Sequence, residues 1–589
     1  MEMVDTSRVR FFRWAMMAIF FVLIVRIFQL QILQSSVYKR LSERNRIRRI
    51  PVIPPRGIIF DRNGRVVVEN RPSYSLFVIP REFREAKITP ERLSSLLGIS
   101  KKEIEERIER AGGGLFTPVR IRRDINFLAL SNLEENKLDL PGIYYQAEPV
   151  RVYPSPVSLS HLIGYTGEAD MRDLEKVSTP YIDRGDIVGK SGVEKSYDHV
   201  LRGRKGYRYL EIDVLGRVVG NFNGKRDVDP VPGKNIMLTI DVEFQRRVEN
   251  LMKDVKGAAV VLDPRNGEIL AMVSMPDFPL ELFVKGLSVD LWTRLKNDPD
   301  KPLINRAIQA QLPPGSVFKL ILAAAALEEG IIDQRREIFC NGYFWFGDRL
   351  FHCWRSDGHG SVNMIEALGV SCNIYFFNLG LMIGLDNIIR YGRMLCIGDL
   401  TGIDLPDENR GLLPQKRYLN RKYGQEGLSE GMVLNLSVGQ GDLLVTPIQM
   451  ANLASIIALE GEIQSIHVVK SIFNDHVGKW EEAEQRARDV KKIYRESFRI
   501  IKEGMYRAVN CGDGTAIAAS VDGLDICGKT GTAQNPYGKP HAWFIGFAPL
   551  DRPELVVVVV VENGGSGGIV AAPIARGIFK YYFFRGGLE

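Results

Sequence analysis

Three short motifs follow one another along this 589-residue chain: Ser316-Val317-Phe318-Lys319, Ser371-Cys372-Asn373 and Lys529-Thr530-Gly531-Thr532. The first pairs a hydroxyl with an amine. A serine is a poor nucleophile at neutral pH and needs a neighbouring base. Residues three apart on a helix share a face, so Lys319 sits over Ser316 if the segment is helical. A lysine serves as a base only when its pKa is lowered, which burial near another cation achieves. Lys529 is the candidate for that cation. Ser371 and Asn373 add polar groups beside the pair. Lys529, Thr530 and Thr532 offer a cation and two hydroxyls suited to a carboxylate. The chemistry this set fits is acyl transfer through a serine ester.

The surrounding sequence supplies elements to hold these groups. Leu320 to Glu329 is rich in strong helix formers, and Pro313, Pro314 and Gly315 break any element before it. Ser316 is thereby predicted in the first turn of a buried helix, where free N–H groups and the helix dipole favour a developing oxyanion. Leu555 to Val561 is an almost unbroken valine run, the pattern of a strand buried on both faces. Ala542 to Pro549 precedes it across the turn Asp551-Arg552-Pro553. The two predict an antiparallel hairpin, with the Lys529 motif leading into or along its first strand and Gly531 admitting a substrate backbone. Single matches carry little weight: Ser36-Val37-Tyr38-Lys39 and Lys190-Ser191-Gly192 repeat two of the patterns, but no S-x-N lies between them. The complete set occurs once.

With these motifs the chain resembles the class B penicillin-binding proteins, the monofunctional peptidoglycan transpeptidases. The likeness covers nearly the whole length. Pro55 to Gly64 (PRGIIFDRNG) resembles the family's N-terminal signature, and Gly189 to Glu194 (GKSGVE) its pedestal motif. Gly257 to Pro276 resembles the first hairpin of the transpeptidase domain, and Asp263-Pro264-Arg265-Asn266-Gly267 is independently a strong turn. Ser437 to Gly441 (SVGQG) followed by Thr446-Pro447 is another family-like segment. Ser160 to Tyr165 (SHLIGY) and Gly358-His359-Gly360 make it most similar to the elongation-type branch, penicillin-binding protein 2.

The resemblance implies an α+β fold: a β-lactamase/transpeptidase-like C-terminal domain, with an antiparallel sheet flanked by helices, on an elongated N-terminal pedestal. It implies a D,D-transpeptidase that cross-links stem peptides during cell-wall elongation and is acylated by β-lactams. Ser316 attacks the carbonyl between two terminal D-alanines, and Lys319 accepts its proton. The N–H groups of Ser316 and Thr532 hold the oxyanion. D-alanine leaves, with Ser371 one route for its proton. Asn373 holds the donor amide or, alternatively, only shapes its loop. Lys529, Thr530 and Thr532 hold the terminal carboxylate, with Gly531 between them, and an amine resolves the ester. A D,D-carboxypeptidase would use the same site with water, and a penicillin-binding scaffold or sensor would acylate without turnover. No water-activating base of a β-lactamase is identifiable.

Three of the six cysteines lie near these motifs. Cys340, Cys353, His359 and Cys372 are separated by 13, 6 and 13 positions. Three thiolates and an imidazole suit tetrahedral structural zinc, although the tight C-x-x-C pairs of zinc fingers are absent. Some elongation-type relatives hold zinc at corresponding positions, with a different ligand mix. The alternatives are a Cys340–Cys353 disulfide or ordinary buried cysteines.

The formal charge is +7, and residues 1–60 hold eleven basic groups against three acidic ones. The surplus suits anionic lipid headgroups; nothing else supports nucleic-acid binding. Trp14 to Leu33 is about long enough to span a membrane, interrupted by Arg26, Gln29 and Gln31. No small-x-small cleavage pattern follows, so it reads as an uncleaved anchor. Charge is heavier after the segment than before it, against the positive-inside rule, but long domains translocate regardless. The expected organisation is a cytoplasmic tail over 1–13, an anchor over 14–33, a pedestal over 34–235 and a transpeptidase domain over 236–589. Pro230 to Lys234 marks the last boundary, and the catalytic bulk lies outside the cytoplasm of a bacterial inner membrane. The expected partners are peptidoglycan stem peptides, β-lactams, the membrane, a SEDS-family glycan polymerase and other elongation-complex proteins.

Overall fold

The computed structural model describes residues 6–36, 38, 47–85, 88–110, 118–175, 182–183, 185–212, 218–221, 227–284, 286–287, 289–424, 430–483 and 493–584. Val37 and Lys39 of the first repeated motif lie outside the described residues. So do Glu2, Asp5, Arg40, Glu43, Arg44 and Arg46 of the charged N-terminal region.

The chain forms two compact units that interleave. One comprises residues 1–55, 74–149 and 203–232, the other 56–73, 150–202 and 233–589. In the first, the helix Thr6–Phe28 continues into a π-turn at Gln29–Leu33. Residues 10–33, which hold an 18-residue window of mean hydropathy 2.2, make one helix long and apolar enough to cross a membrane among the described residues. It starts before the predicted Trp14. Arg26 donates to Gln29 Oε1 at 2.7 Å, so two of the three polar interruptions satisfy each other. Further on, Thr89 caps Pro90–Leu97 and Asn126 caps Phe127–Glu135. The charged stretch Lys101–Arg110 is also helical. These helices and the strand Val119–Arg122 enclose a core of Leu76, Val78, Leu93, Ile104, Ile121 and Leu133.

The second unit is organised by one antiparallel sheet. Its strands are β1 (Gly257–Leu262), β2 (Ile269–Met275), β3 (Cys527–Ala533), β4 (His541–Ala548) and β5 (Leu555–Val561), in the order β2-β1-β5-β4-β3. Six helices matter here: α1 (Val242–Met252), α2 (Lys319–Glu328), α3 (Asn373–Met394), α4 (Pro447–Ala458), α5 (Arg495–Asn510) and α6 (Ala572–Phe583). Side chains alternate across a strand, and both faces are buried. Val556, Val558 and Val560 share a core with α2 and α4, whereas Val557, Val559 and Val561 share another with α1 and α6. That is why the valine run is continuous. The Lys529 motif differs from expectation in one respect: it occupies β3, a strand of its own at the sheet edge, beside the predicted hairpin β4–β5.

Two sequence signatures meet in a buried ionic knot of this unit. Arg56 donates to Glu194 Oε2 at 2.7 Å and to Asp198 Oδ1 at 2.9 Å, while Arg151 donates to Glu194 Oε1 at 2.8 Å. Burial would raise the Glu194 carboxyl, but the Arg151 and Arg56 charges outweigh it and hold it below the usual carboxylate range. The glycines beside these residues permit close backbone contact: a Cβ on Gly57 would fall 1.8 Å from Lys234 O.

Candidate active site

Ser316 lies on a 3₁₀ turn, Gly315–Phe318, that runs directly into α2. The turn is clamped from two sides. Trp543 on β4 donates its indole N–H to Pro313 O at 3.0 Å. Gly315 donates to Gly439 O at 3.0 Å, and a Cβ on Gly439, whose φ is +70°, would fall 2.0 Å from Gly315 O. The Ser437–Gly441 segment therefore works as a seat for the serine turn. Gly531 serves the same turn: its Cβ would meet Pro314 O at 2.6 Å and Val317 Cγ2 at 3.0 Å. Its bare face accommodates the protein's own chain, which is a different reason from the substrate approach that the sequence suggested.

Lys319 follows one turn later and is completely buried. Its Nζ donates to Asn373 Oδ1 at 2.7 Å, to Ser371 O at 2.9 Å and to Ser371 Oγ at 3.3 Å. Ser371 Oγ also accepts from Lys529 Nζ at 2.8 Å, and Lys529 donates to Thr530 O at 3.1 Å. The three motifs thus converge on the Ser371 hydroxyl. Ser371 holds a left-handed φ of +55°, a conformation that costs a non-glycine residue on the order of 1 kcal/mol or more. Ser316 is half-buried, and its hydroxyl makes no hydrogen bond to the described residues. The Lys319 acceptors found among the described residues all belong to residues 371–373. Bonds between a nucleophile and its base are often loose before substrate arrives.

Burial pushes the Lys319 ammonium down to about 8, partly offset by the Cys372 and Cys353 thiols. Burial pushes Lys529 well below the ordinary lysine value, and the Lys319 charge adds to it. Of the two causes the sequence suggested for Lys319, burial and a nearby cation, burial is the one that lowers it. That cation effect falls on Lys529.

The remaining groups complete the rim. Thr530 Oγ1 donates to Thr515 Oγ1 at 3.0 Å, and Thr515 N donates to Gly369 O at 3.3 Å. No motif announces Thr515; only its place after Gly514 marks it as turn material. Thr532 is exposed, and its Oγ1 accepts from Gly567 N at 3.2 Å. β3 is the edge strand of this sheet, with no strand paired to its outer side among the described residues.

Cys340, Cys353, His359 and Cys372 come together although they are distant in sequence. Ile338–Cys340 pairs with Gly360–Val362, and His359 N donates to Cys340 O at 3.0 Å. A Cβ on Gly358 would fall 2.1 Å from Cys340 O, so the Gly358-His359-Gly360 segment needs its first glycine. The four donor atoms lie within 4.8 Å of one another, and the three cysteines are unbridged. His359 Nδ1 lies 3.5 Å from both Cys340 Sγ and Cys353 Sγ. Tetrahedral zinc with ordinary bond lengths would separate sulfur from nitrogen by about 3.5 Å, so the donor set fits that ion. The cluster also holds the serine–asparagine loop: Asn373 N donates to Cys353 Sγ at 3.4 Å and Tyr375 N to Cys372 Sγ at 3.5 Å. The Cys353 thiol is pushed down, first by the hydrogen bond with Cys372 and then by His359, while Cys372 is pushed up. His352, in the adjacent hairpin, stays outside the cluster.

Comparison with known proteins identifies the two domains. Residues 257–580 match the penicillin binding protein transpeptidase domain, and 51–238 the penicillin-binding protein dimerisation domain. The chain is 32% identical to the peptidoglycan D,D-transpeptidase MrdA of Haemophilus influenzae, over 95% of this chain and 89% of that protein. It is similar to penicillin-binding protein PBP2 of Helicobacter pylori, solved in complex with MreC, at 27% identity and a TM-score of 0.79 over 92% of this chain and all of that one. It is also similar to a component of a peptidoglycan synthase complex that coordinates polymerization and crosslinking, at 30% identity and a TM-score of 0.67 over 99% and 100% of the two chains.

Proposed function

This chain belongs to the penicillin-binding protein transpeptidase family, and from that premise we propose that it is a peptidoglycan D,D-transpeptidase with Ser316 as its nucleophile. The observation that carries the reading is the convergence of Lys319 and Lys529, both buried, on the Ser371 hydroxyl beside the serine turn. With its pKa lowered to about 8, Lys319 is neutral in about a tenth of molecules at pH 7 and accepts the Ser316 proton in that form. Ser316 Oγ bonds to the penultimate D-alanine carbonyl carbon of the donor stem peptide. The backbone N–H groups of Ser316 and Thr532 receive the oxyanion. The peptide C–N bond breaks, and the D-alanine amine takes a proton delivered through Ser371, which both lysines touch. The amine of a neighbouring stem then attacks the ester and regenerates Ser316.

Asn373 orients Lys319 and the donor amide. Lys529, Thr530 and Thr532 hold the donor carboxylate, with Gly531 keeping β3 against the serine turn. A β-lactam follows the first half of this path and stops at the ester. We further propose that Cys340, Cys353, His359 and Cys372 hold a structural zinc ion, which would fix the loop carrying Ser371 and Asn373. The apolar N-terminal helix anchors the chain once in the bacterial inner membrane, with residues 34–235 as pedestal and 236–589 as the transpeptidase domain outside the cytoplasm. The relatives solved with MreC and within a polymerization and crosslinking complex support an elongation assembly with a SEDS-family polymerase. Donor turnover with and without an amine acceptor tests the reaction. Cross-linked product is expected. Hydrolysis at the same rate in both cases would make the enzyme a carboxypeptidase, and no turnover would make it a scaffold.

A further inference from the structure

Beside the candidate site stands a hairpin of Tyr343–Phe346 and Arg349–His352. Its two faces differ. Phe344 pairs with Phe351, and both rings turn inward against Phe377, at 6.1 and 5.6 Å. Arg349 keeps to this side, its guanidinium 5.9 Å from the Phe351 ring. Tyr343 pairs with His352 and Trp345 with Leu350 on the other face. There Tyr343 is 47% exposed, Trp345 63% and Leu350 38%. Trp354 follows at 59%, its indole N–H fixed on Val370 O at 2.9 Å. Aromatic rings left in water at regular strand positions forgo the stabilisation that burial gives, which marks an interaction surface.

This surface is continuous with the site. The carbonyl of His352 accepts from Asn373 Nδ2 at 3.2 Å, and Asn373 Oδ1 accepts from Lys319. The outward strand positions of the hairpin are Tyr343, Trp345, Leu350 and His352, none of them a carboxylate, lysine or arginine. We propose that Tyr343, Trp345 and Leu350 form a carbohydrate platform that seats an uncharged stretch of N-acetylated pyranose chain, the glycan from which a stem peptide hangs. The proposal rests on the acyl-transfer reading of the site. A pyranose ring offers a C–H face that is apolar and weakly positive, which suits the negative face of an aromatic ring. Tyr and Trp also carry a hydrogen-bonding edge and lose little conformational freedom on binding. The lack of cations on the face disfavours nucleic acid and anionic lipid. Its continuity with Asn373 favours a chain tethered to the substrate over an unrelated protein.

The test uses the full chain in a detergent without a sugar headgroup and tetra-N-acetylchitotetraose as probe, followed by saturation-transfer NMR. Wild type binds, and the Tyr343→Ala/Trp345→Ala variant binds about tenfold more weakly, while acylation of Ser316 by penicillin is unchanged. Absence of binding in wild type, or equal binding in both, overturns the proposal. If the variant loses acylation as well, Trp345→Phe decides: retained sugar binding and acylation support the platform, and loss of either overturns it. Retained sugar binding with lost binding to phosphatidylethanolamine vesicles assigns the face to the membrane instead. Wild-type protein that binds the sugar but is never acylated refutes the acyl-transfer reading and leaves the sugar result standing.

Discussion

Lowering the pH should switch off acylation through Lys319. Its ammonium has no exposed surface and a pKa lowered from 10.5 to about 8. The neutral fraction is then about one hundredth at pH 6, about half at pH 8 and about nine tenths at pH 9. If neutral Lys319 takes the Ser316 proton, the acylation rate rises about tenfold per unit up to pH 7 and about 90-fold between pH 6 and 9, then flattens. The assay is the second-order rate constant for benzylpenicillin, whose carboxylate stays ionised over this range, measured by quenched flow and mass. Stability follows the same proton. The folded protein binds fewer protons at Lys319 than the unfolded chain between about pH 8 and 10.5. The cost of the buried charge is therefore fully present below pH 8 and relieved as pH rises towards 10.5, by about 3 kcal/mol for this group. A rate that is flat or falls from pH 6 to 9 would refute the base assignment.

Other outcomes follow from the same contacts. Glu194→Gln leaves Arg56 and Arg151 facing a neutral amide in a buried site, and should lower unfolding free energy in urea by about 3–5 kcal/mol. Because the carboxylate is held low, its contribution is present at neutral pH and lost on acidification through its folded pKa. Gly439→Ala places a Cβ 2.0 Å from Gly315 O at φ +70°; penicillin acylation should fall at least about tenfold, read by stopped-flow. Purified protein should contain about one zinc per chain by elemental analysis, and Cys353→Ala should lose it along with part of the acylation rate, since Cys353 Sγ accepts from Asn373 N.

The chemistry-bearing residues were legible because they are local patterns. Ser316 and Lys319 lie on one turn, and the valine run announces a doubly buried strand. What the sequence could not supply depends on contacts between distant segments. That Lys319 faces Ser371 and Asn373 is decided by how α3 meets α2. Gly531 reads as room for a substrate backbone, and Gly439 only as part of a family-like segment, until their neighbours Pro314 and Gly315 are known. Thr515 has no motif and enters only through Thr530. The cysteine–histidine set was visible as a list of donors, but only the pairing of Ile338–Cys340 with Gly360–Val362 brings His359 to Cys340. The interleaving of the two compact units is likewise a property of contacts, since the chain crosses between them at 55, 73, 149, 202 and 232.

The mechanism turns on Ser316 forming the covalent acyl-enzyme. Peptide mass spectrometry on the full chain after incubation with a penicillin tests it most directly. A stable adduct is expected on the peptide carrying Ser316, and none in Ser316→Ala. An adduct that persists in Ser316→Ala, or its absence from the wild-type protein, would contradict it.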